Sequence, residues 1–295
     1  MGVIERDPYT GHGTTGHEWN GIKELNTAVP WPIWVFLIVT VVFSVVWWIL
    51  MPAWPVGTTY TKGLLGADDR QDVAAGLRAA AEQRSVWAQR IQTADFAAIQ
   101  ADEALMRDVR ETGRALFGDN CAVCHGSTGR GGPGFPSLVD GAWLWGGSPE
   151  AVFETIRVGV NTGHPEARAS QMLAWGRDGA LDRDAILTVV DYVQSLSQPP
   201  GDAGASVPAE RLAAGRKIFE DNCSSCHGED GKGNAEVGAP DLTDDVWIYG
   251  GDRQSIYMSV YGGRQGFMPA WEQRLTELER KILTLYVLDL GRSAK

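Results

Sequence analysis

Cysteine is scarce in these 295 residues. The four present fall in two short runs, so none is left over for a Cys-His nucleophile. No Ser-His-Asp set stands out, and there is no motif for a dinuclear copper centre. Basic residues are outnumbered by acidic ones, 26 against 37, for a net charge of -11. They form no stripe along the chain, which argues against a nucleic-acid partner. An acidic surface is suited instead to steering a basic partner by a long-range field that salt weakens. With 44% apolar residues the chain has material for ordinary cores, and its length admits two or three modest domains. Charge is missing altogether from residues 25–61.

The cysteine runs are Cys121-Ala122-Val123-Cys124-His125 and Cys223-Ser224-Ser225-Cys226-His227. Cys-x-x-Cys-His is the spacing of c-type haem attachment. Two thiols about one helical turn apart add to the two vinyl groups of one porphyrin, and the next residue points an imidazole at the iron. A zinc site would place its second Cys-x-x-Cys pair roughly 15–20 residues away, and a thioredoxin-type dithiol needs no following histidine and sits in a βαβ context. The reading is therefore two covalently bound haem c groups, on Cys121 and Cys124 with His125 as axial ligand, and on Cys223 and Cys226 with His227.

Within the charge-free stretch, residues 31–51 read WPIWVFLIVTVVFSVVWWILM, about 32 Å as a helix at 1.5 Å per residue. That length crosses a membrane once. Trp31 and Trp34 at one end and Trp47, Trp48 and Trp54 at the other suit the two interfaces. A cleaved signal peptide would have a shorter apolar region, a positive start and a small-residue cleavage site. Pro52, Trp54 and Pro55 follow instead, so an uncleaved anchor is expected. The span holds no His, Asp, Glu, Lys or Arg, and so offers no ligand for a membrane haem and no proton relay. Arg6 and Lys23 on one side balance Lys62 and Arg70 on the other, so charge does not orient the helix. Haem c is attached outside the bacterial inner membrane, which places residues after about 56 in the periplasm and residues 1–29 in the cytoplasm, with His12 and His17 exposed there.

The second half of the chain repeats itself. Gly113-Arg114-Ala115-Leu116-Phe117 matches Gly215-Arg216-Lys217-Ile218-Phe219, and Trp143-Leu144-Trp145-Gly146-Gly147 matches Trp247-Ile248-Tyr249-Gly250-Gly251. Met172-Leu173-Ala174-Trp175 matches Met268-Pro269-Ala270-Trp271, with extra residues in the first copy near positions 161–169. Helical spacing of apolar residues marks 105–117 and 182–196 in the first copy, and 209–219 and 275–290 in the second. Gly113 and Phe117 share a helical face, as do Gly215 and Phe219, and glycine admits a crossing helix. Tyr192 and Tyr286, in the last helix of each copy, are the expected partners. A loose linker is read at 196–209, and an amphipathic helix at 68–91 with Val73, Leu77, Trp87 and Ile91 on one face.

The sixth iron ligand separates electron carriers from sites open to oxygen or peroxide. Met172 is expected on the first haem iron, with His125, and Met268 on the second, with His227. The rival on the first iron is His164, in the extra segment. Met258 is expected merely to fill core space. A backbone carbonyl in Pro136-Ser137-Leu138 and in Pro240-Asp241-Leu242 is placed to accept the Nδ1 proton of His125 or His227.

Both repeats resemble class I cytochromes c. The whole order, a membrane anchor preceded by HEWNGIKELN (residues 17–26) and followed by two such domains, resembles the dihaem subunit of bacterial cbb3-type cytochrome c oxidases. The fold class is then all-α, one N-terminal transmembrane helix followed by two tandem class I cytochrome c domains. The divisions are a cytoplasmic segment 1–29, an anchor 30–54, a periplasmic helical connector 55–104, and cytochrome domains 105–200 and 201–295. The resemblance implies an electron-transfer subunit with no catalysis of its own. Its electrons come from a periplasmic cytochrome c or a cytochrome bc complex and go to a monohaem cytochrome c subunit and a haem-copper catalytic subunit that reduces oxygen and pumps protons. Besides these proteins, membrane lipid is the remaining partner. The competing classes are a free-standing membrane-anchored dihaem carrier and a dihaem peroxidase, the latter needing one open iron.

Overall fold

A computed structural model describes residues 5–197 and 207–293; the centre of the expected linker, 198–206, lies outside them. The chain divides into two compact units, Met1–Gln83 and Arg84–Lys295. The first unit is not purely helical. Asn20 and Gly21 both take positive φ, 53° and 85°, the backbone of a tight hairpin turn. They join β1 (Thr14–Trp19) to β2 (Ile22–Leu25) as an antiparallel pair. The charge-free stretch forms α1 (Trp31–Leu50), started by Pro30 and Pro32, with no residue buried by protein. It is long and apolar enough to cross a membrane. A helix end in or near lipid needs its last carbonyls satisfied. Here Met51, Leu64 and Leu65 donate backbone N–H groups to Trp47, Ile49 and Leu50. The returning loop carries the two-residue strands β3 (Pro55–Val56) and β4 (Thr59–Tyr60).

Next comes α2 (Asp69–Thr93), where the expected apolar face is used only at its C-terminal end. Ile91 is buried and Trp87 packs beside it, whereas Val73 and Leu77 are each 62% exposed. Asp95 caps α3 (Phe96–Ala101), and Asp102 caps α4 (Glu103–Asn120) by accepting from the N–H groups of Ala104 and Leu105. The remaining elements are α5 (Ala122–His125), α6 (Pro149–Val158), α7 (Arg183–Ser197), α8 (Ala209–Asn222), α9 (Ser224–His227), α10 (Arg253–Gly262) and α11 (Glu277–Ser293).

The long helices do not pack within their own repeats. α4 of the first repeat packs on α11 at the end of the chain, and α7 packs on α8 of the second repeat. A Cβ on Gly113 would stand 2.6 Å from Cβ of Tyr286, and one on Gly215 would stand 2.7 Å from Cβ of Tyr192. The rings of Phe117 and Tyr286 lie 5.7 Å apart, those of Phe219 and Tyr192 5.5 Å. The glycine-aromatic faces are thus as expected, but their partners are exchanged. Packing thus runs across the expected divisions 105–200 and 201–295: one body joins α4, α5, α6 and α11, and the other joins α7, α8, α9 and α10.

The reason is connectivity. Only residues 198–208 separate α7 from α8, and helices joined by a short connection pack side by side. With α7 taken by α8, the matching face of α4 is left for α11. Each site then has its own apolar core. Phe117, Val152, Ile156, Trp271, Leu275, Leu283 and Val287 form one, and Ile186, Val189, Val190, Val193, Phe219, Ile256 and Val260 the other. A third cluster, Ile91, Ile99, Leu105, Met106, Val109, Ile282 and Leu285, fastens α2 and α3 to the α4–α11 pair.

Charge seals the exchange as well. Asp191 on α7 is buried and accepts from Arg211 Nε of α8 at 2.7 Å and Arg253 Nε of α10 at 2.7 Å. Burial alone would raise its carboxyl, but the hydrogen bonds from the two arginines outweigh that and the net shift is downward. A depressed carboxylate contributes stability that is present above the ordinary carboxylate range and lost as pH falls through the folded-state value. Asp191→Asn is expected to cost roughly 1–3 kcal/mol at neutral pH, the order of losing hydrogen bonds to a charged group whose partners are partly screened. The deficit should shrink as the solution is acidified, read by thermal unfolding across pH.

Helix pairing is open to a double-mutant cycle. Gly113→Ala should destabilise by about 1–3 kcal/mol through overpacking. Tyr286→Ala should absorb that cost, whereas Tyr192→Ala should add to it independently. Rescue by Tyr192→Ala instead would return the helices to their own repeats.

Candidate functional site

Each Cys-x-x-Cys-His run is one short helical turn following a long helix. Phe117 O accepts from Cys121 N–H, and Cys121 O accepts from Cys124 and His125 N–H. Cys223, Cys226 and His227 repeat the pattern against Phe219 O and Cys223 O. The first cysteine of each run therefore lies under the buried phenylalanine, on the core. All four thiols are free. Burial pushes the Cys121 and Cys223 thiols up, each to about 11. A redox-active dithiol requires the opposite, a depressed thiol.

Both histidines are set by one backbone contact. His125 Nδ1 lies 2.9 Å from Pro136 O, and His227 Nδ1 lies 3.1 Å from Pro240 O. A carbonyl only accepts, so Nδ1 carries the proton in each ring and Nε2 presents its lone pair. Burial holds both imidazoles below their ordinary range, against the opposing effect of these hydrogen bonds. They are neutral at pH 7, as a metal ligand must be. The carbonyl expected from the two aligned Pro-x-Leu runs is the one found.

The methionines are crossed. Met268 packs into the core that holds Phe117, Cys121, Leu138 and Trp143, and Met172 into the core that holds Phe219, Cys223, Leu242 and Trp247. The expected pairings, Met172 with His125 and Met268 with His227, are corrected to Met268 with the Cys121–His125 run and Met172 with the Cys223–His227 run. Reciprocal backbone pairs hold the crossing. Val160 N–H donates to Met268 O at 2.9 Å and Met268 N–H to Val160 O at 3.1 Å. Met172 N–H donates to Arg264 O at 2.8 Å and Arg264 N–H to Met172 O at 3.1 Å. Gly159 and Gly263 precede these bridges at φ of 69° and 70°. A side chain at either would strike the carbonyl of the opposing methionine.

His164 is no rival ligand. Its Nδ1 accepts from Glu166 N–H at 3.0 Å, so the proton sits on Nε2, which donates to Glu272 Oε2 at 2.8 Å. Both nitrogens are spent. Met258 does not fill core space either; it is 47% exposed. His17 lies in the open, as expected. Arg157 and Glu272 meet across the repeats at 2.9 Å, a pair that no motif in the sequence marks.

Two free thiols, a neutral imidazole with Nε2 open and a thioether in the same apolar core fit a haem c at each run. Such a donor set would serve a haem iron through nitrogen and sulfur.

Comparison with known proteins agrees with this chemistry. Residues 11–58 match the family described as "N-terminal domain of cytochrome oxidase-cbb3, FixP", residues 110–197 match "Cytochrome c", and residues 210–287 match "Cytochrome C oxidase, cbb3-type, subunit III". The chain is 46% identical over 97% of both chains to a cbb3-type cytochrome c oxidase subunit FixP of Bradyrhizobium sp.. It is 44% identical, over 94% of both, to the subunit CcoP of Cereibacter sphaeroides, and 39% identical, over 99% of both, to that of Azospirillum brasilense. The cytochrome c matches imply covalently bound haem c, and α1 fits a membrane anchor.

Proposed function

Because the chain belongs to the FixP/CcoP family of cbb3-type cytochrome c oxidase subunits, we propose that it holds two haem c groups and relays electrons through them. The donor is a periplasmic cytochrome c or a cytochrome bc complex, and the acceptors are the monohaem and haem-copper subunits of a terminal oxidase. Cys121, Cys124, His125 and Met268 hold one group, and Cys223, Cys226, His227 and Met172 the other. The observation that carries the proposal is the doubled site: two attachment runs, each with an Nδ1-anchored histidine and a methionine in the same core. The anchor crosses the bacterial inner membrane, with residues 1–29 cytoplasmic and the haem domains periplasmic.

Bound at these runs, haem c supplies one-electron chemistry at iron. His125 with Met268, and His227 with Met172, would hold the group in either redox state, so that little reorganises on transfer. Pro136 O and Pro240 O fix the orientation and basicity of the imidazoles. The apolar cores around Met268 and Met172 exclude water and favour the less charged, reduced state. The chain's own part in this reading is electron relay, with oxygen reduction assigned to the partner subunits.

Mild-detergent purification through this chain should bring haem b, copper and cyanide-sensitive oxygen uptake; two low-spin c haems alone, with subunit loss excluded, would mark a free-standing carrier instead. Cys223→Ala should halve covalent haem in whatever protein accumulates, read by a haem stain on denatured chain. Met268→His should lower the midpoint potential of the haem on Cys121 and Cys124 by on the order of 0.1 V or more, within the ~0.8 V that axial ligands command. Met172→His should do the same to the haem on Cys223 and Cys226. A shift in the opposite haem in each case would uncross the ligands.

A further inference from the structure

We propose that Arg157, His164 and Glu272 form a clamp that holds the Met268 segment closed over the first site, making them positioning residues for its thioether ligand. The proposal rests on Met268 being an iron ligand, as argued above. The segment is gripped on both sides. Ahead of the methionine, Asn161 Nδ2 donates to Gly266 O at 2.7 Å. Behind it, Trp271 N–H donates to Ile156 O at 3.1 Å and Glu272 N–H to Arg157 O at 3.2 Å.

Side chains complete the grip. Arg157 Nη1 donates to Glu272 Oε1 at 2.9 Å, while its Nε and Nη2 hold Glu154 at 2.8 Å each, and Nη2 also reaches Glu166. The second Glu272 oxygen accepts from His164 Nε2, whose ring is 10% exposed. Charge-assisted hydrogen bonds of this kind are shorter and about twice as strong as neutral ones. Four of the five groups, Glu154, Arg157, His164 and Glu166, come from α6 and the extra segment of the first repeat; Glu272 alone comes from the Met268 segment.

Among the described residues the second site shows no counterpart. By the repeat match, Tyr261 stands where Arg157 does, and Gly176 where Glu272 does. Among the described residues, the bonds recorded between the Met172 segment and the end of α10 are backbone only, Met172 with Arg264 and Arg177 N–H with Tyr261 O. A neutral thioether is readily displaced from ferric iron by a stronger ligand once its segment swings away, and the apparent affinity of the incoming ligand scales with the open fraction. A clamp that lowers that fraction protects the first site from small ligands.

The test is an imidazole titration of the ferric, full-length protein, following the red charge-transfer band of thioether-ligated haem. In a Met172→His background that band reports Met268 alone. Glu272→Ala and His164→Ala are each expected to move the displacement midpoint to about tenfold lower imidazole with covalent haem content unchanged, the order of losing one charged hydrogen bond. Glu272→Gln, which keeps one acceptor, should give an intermediate shift. In the Met268→His background, where the band reports Met172, Glu272→Ala should move nothing. Unmoved titrations in both alanine variants, or equal shifts at both haems, would overturn the clamp. If the band survives in the Met172→His, Met268→His double variant, the ligand assignment fails and the clamp with it; if the band is that of Met268 but does not respond, the clamp alone fails.

Discussion

Two short antiparallel bridges, Val160 with Met268 and Met172 with Arg264, decide most of what this molecule is. Each joins the end of a helix in one repeat to the methionine segment of the other. Once they form, each methionine packs in the core beside the cysteine run of the opposite repeat, and the helix that follows is carried across with it. α11 must then find α4, and α7 must find α8. Positive-φ glycines at 159 and 263 keep side chains out of the crossing, so the two segments approach to backbone distance. Nothing in the haem runs themselves dictates this; the crossing is a property of the connecting chain.

The two halves of the exchange differ in their cost. α7 and α8 are neighbours along the chain, and closing a short connection costs little entropy. α4 and α11 are brought together from opposite ends of the second unit, a long-range pairing that is slower to form. It too is secured by charge and apolar packing. Arg110 of α4 bonds Asp289 of α11 at 2.8 Å. Lys281 donates to the carbonyls of Gln92 and Ala94, and α2 and α3 add an apolar cluster against the same pair. The connector between anchor and haem domains is in this sense part of the first site's scaffold.

Much of the chemistry was readable from residues alone. The thiols, both histidines and the carbonyls that orient them follow from local spacing, and local spacing is what a sequence displays. The anchor is a matter of composition, and α1 occupies it. The pairing of Gly113 and Phe117 with a tyrosine was also legible, but which tyrosine was not. Tyr192 and Tyr286 occupy equivalent positions in similar helices, so either satisfies the same face, and the choice falls to the length of the segment between α7 and α8. The same ambiguity misassigned the two methionines. Asn20-Gly21 is a hairpin signal without the alternating apolar flanks that usually accompany it, and of the stripe that includes Val73 and Leu77 only Trp87 and Ile91, at the far end of α2, are covered.

The crossing also sets the order in which the two cores can be finished as the chain is made. The Cys223–His227 run follows Met172 and α7, so the methionine and the partner helix of its core already exist when its cysteines appear. The first run is made early and waits for Met268 and α11, which come last. A chain lacking its final thirty or so residues would carry the α7–α8 core nearly whole and leave the α4–α6 core without its methionine and its closing helix. The first core is therefore the one whose completion depends on the whole length of the second unit.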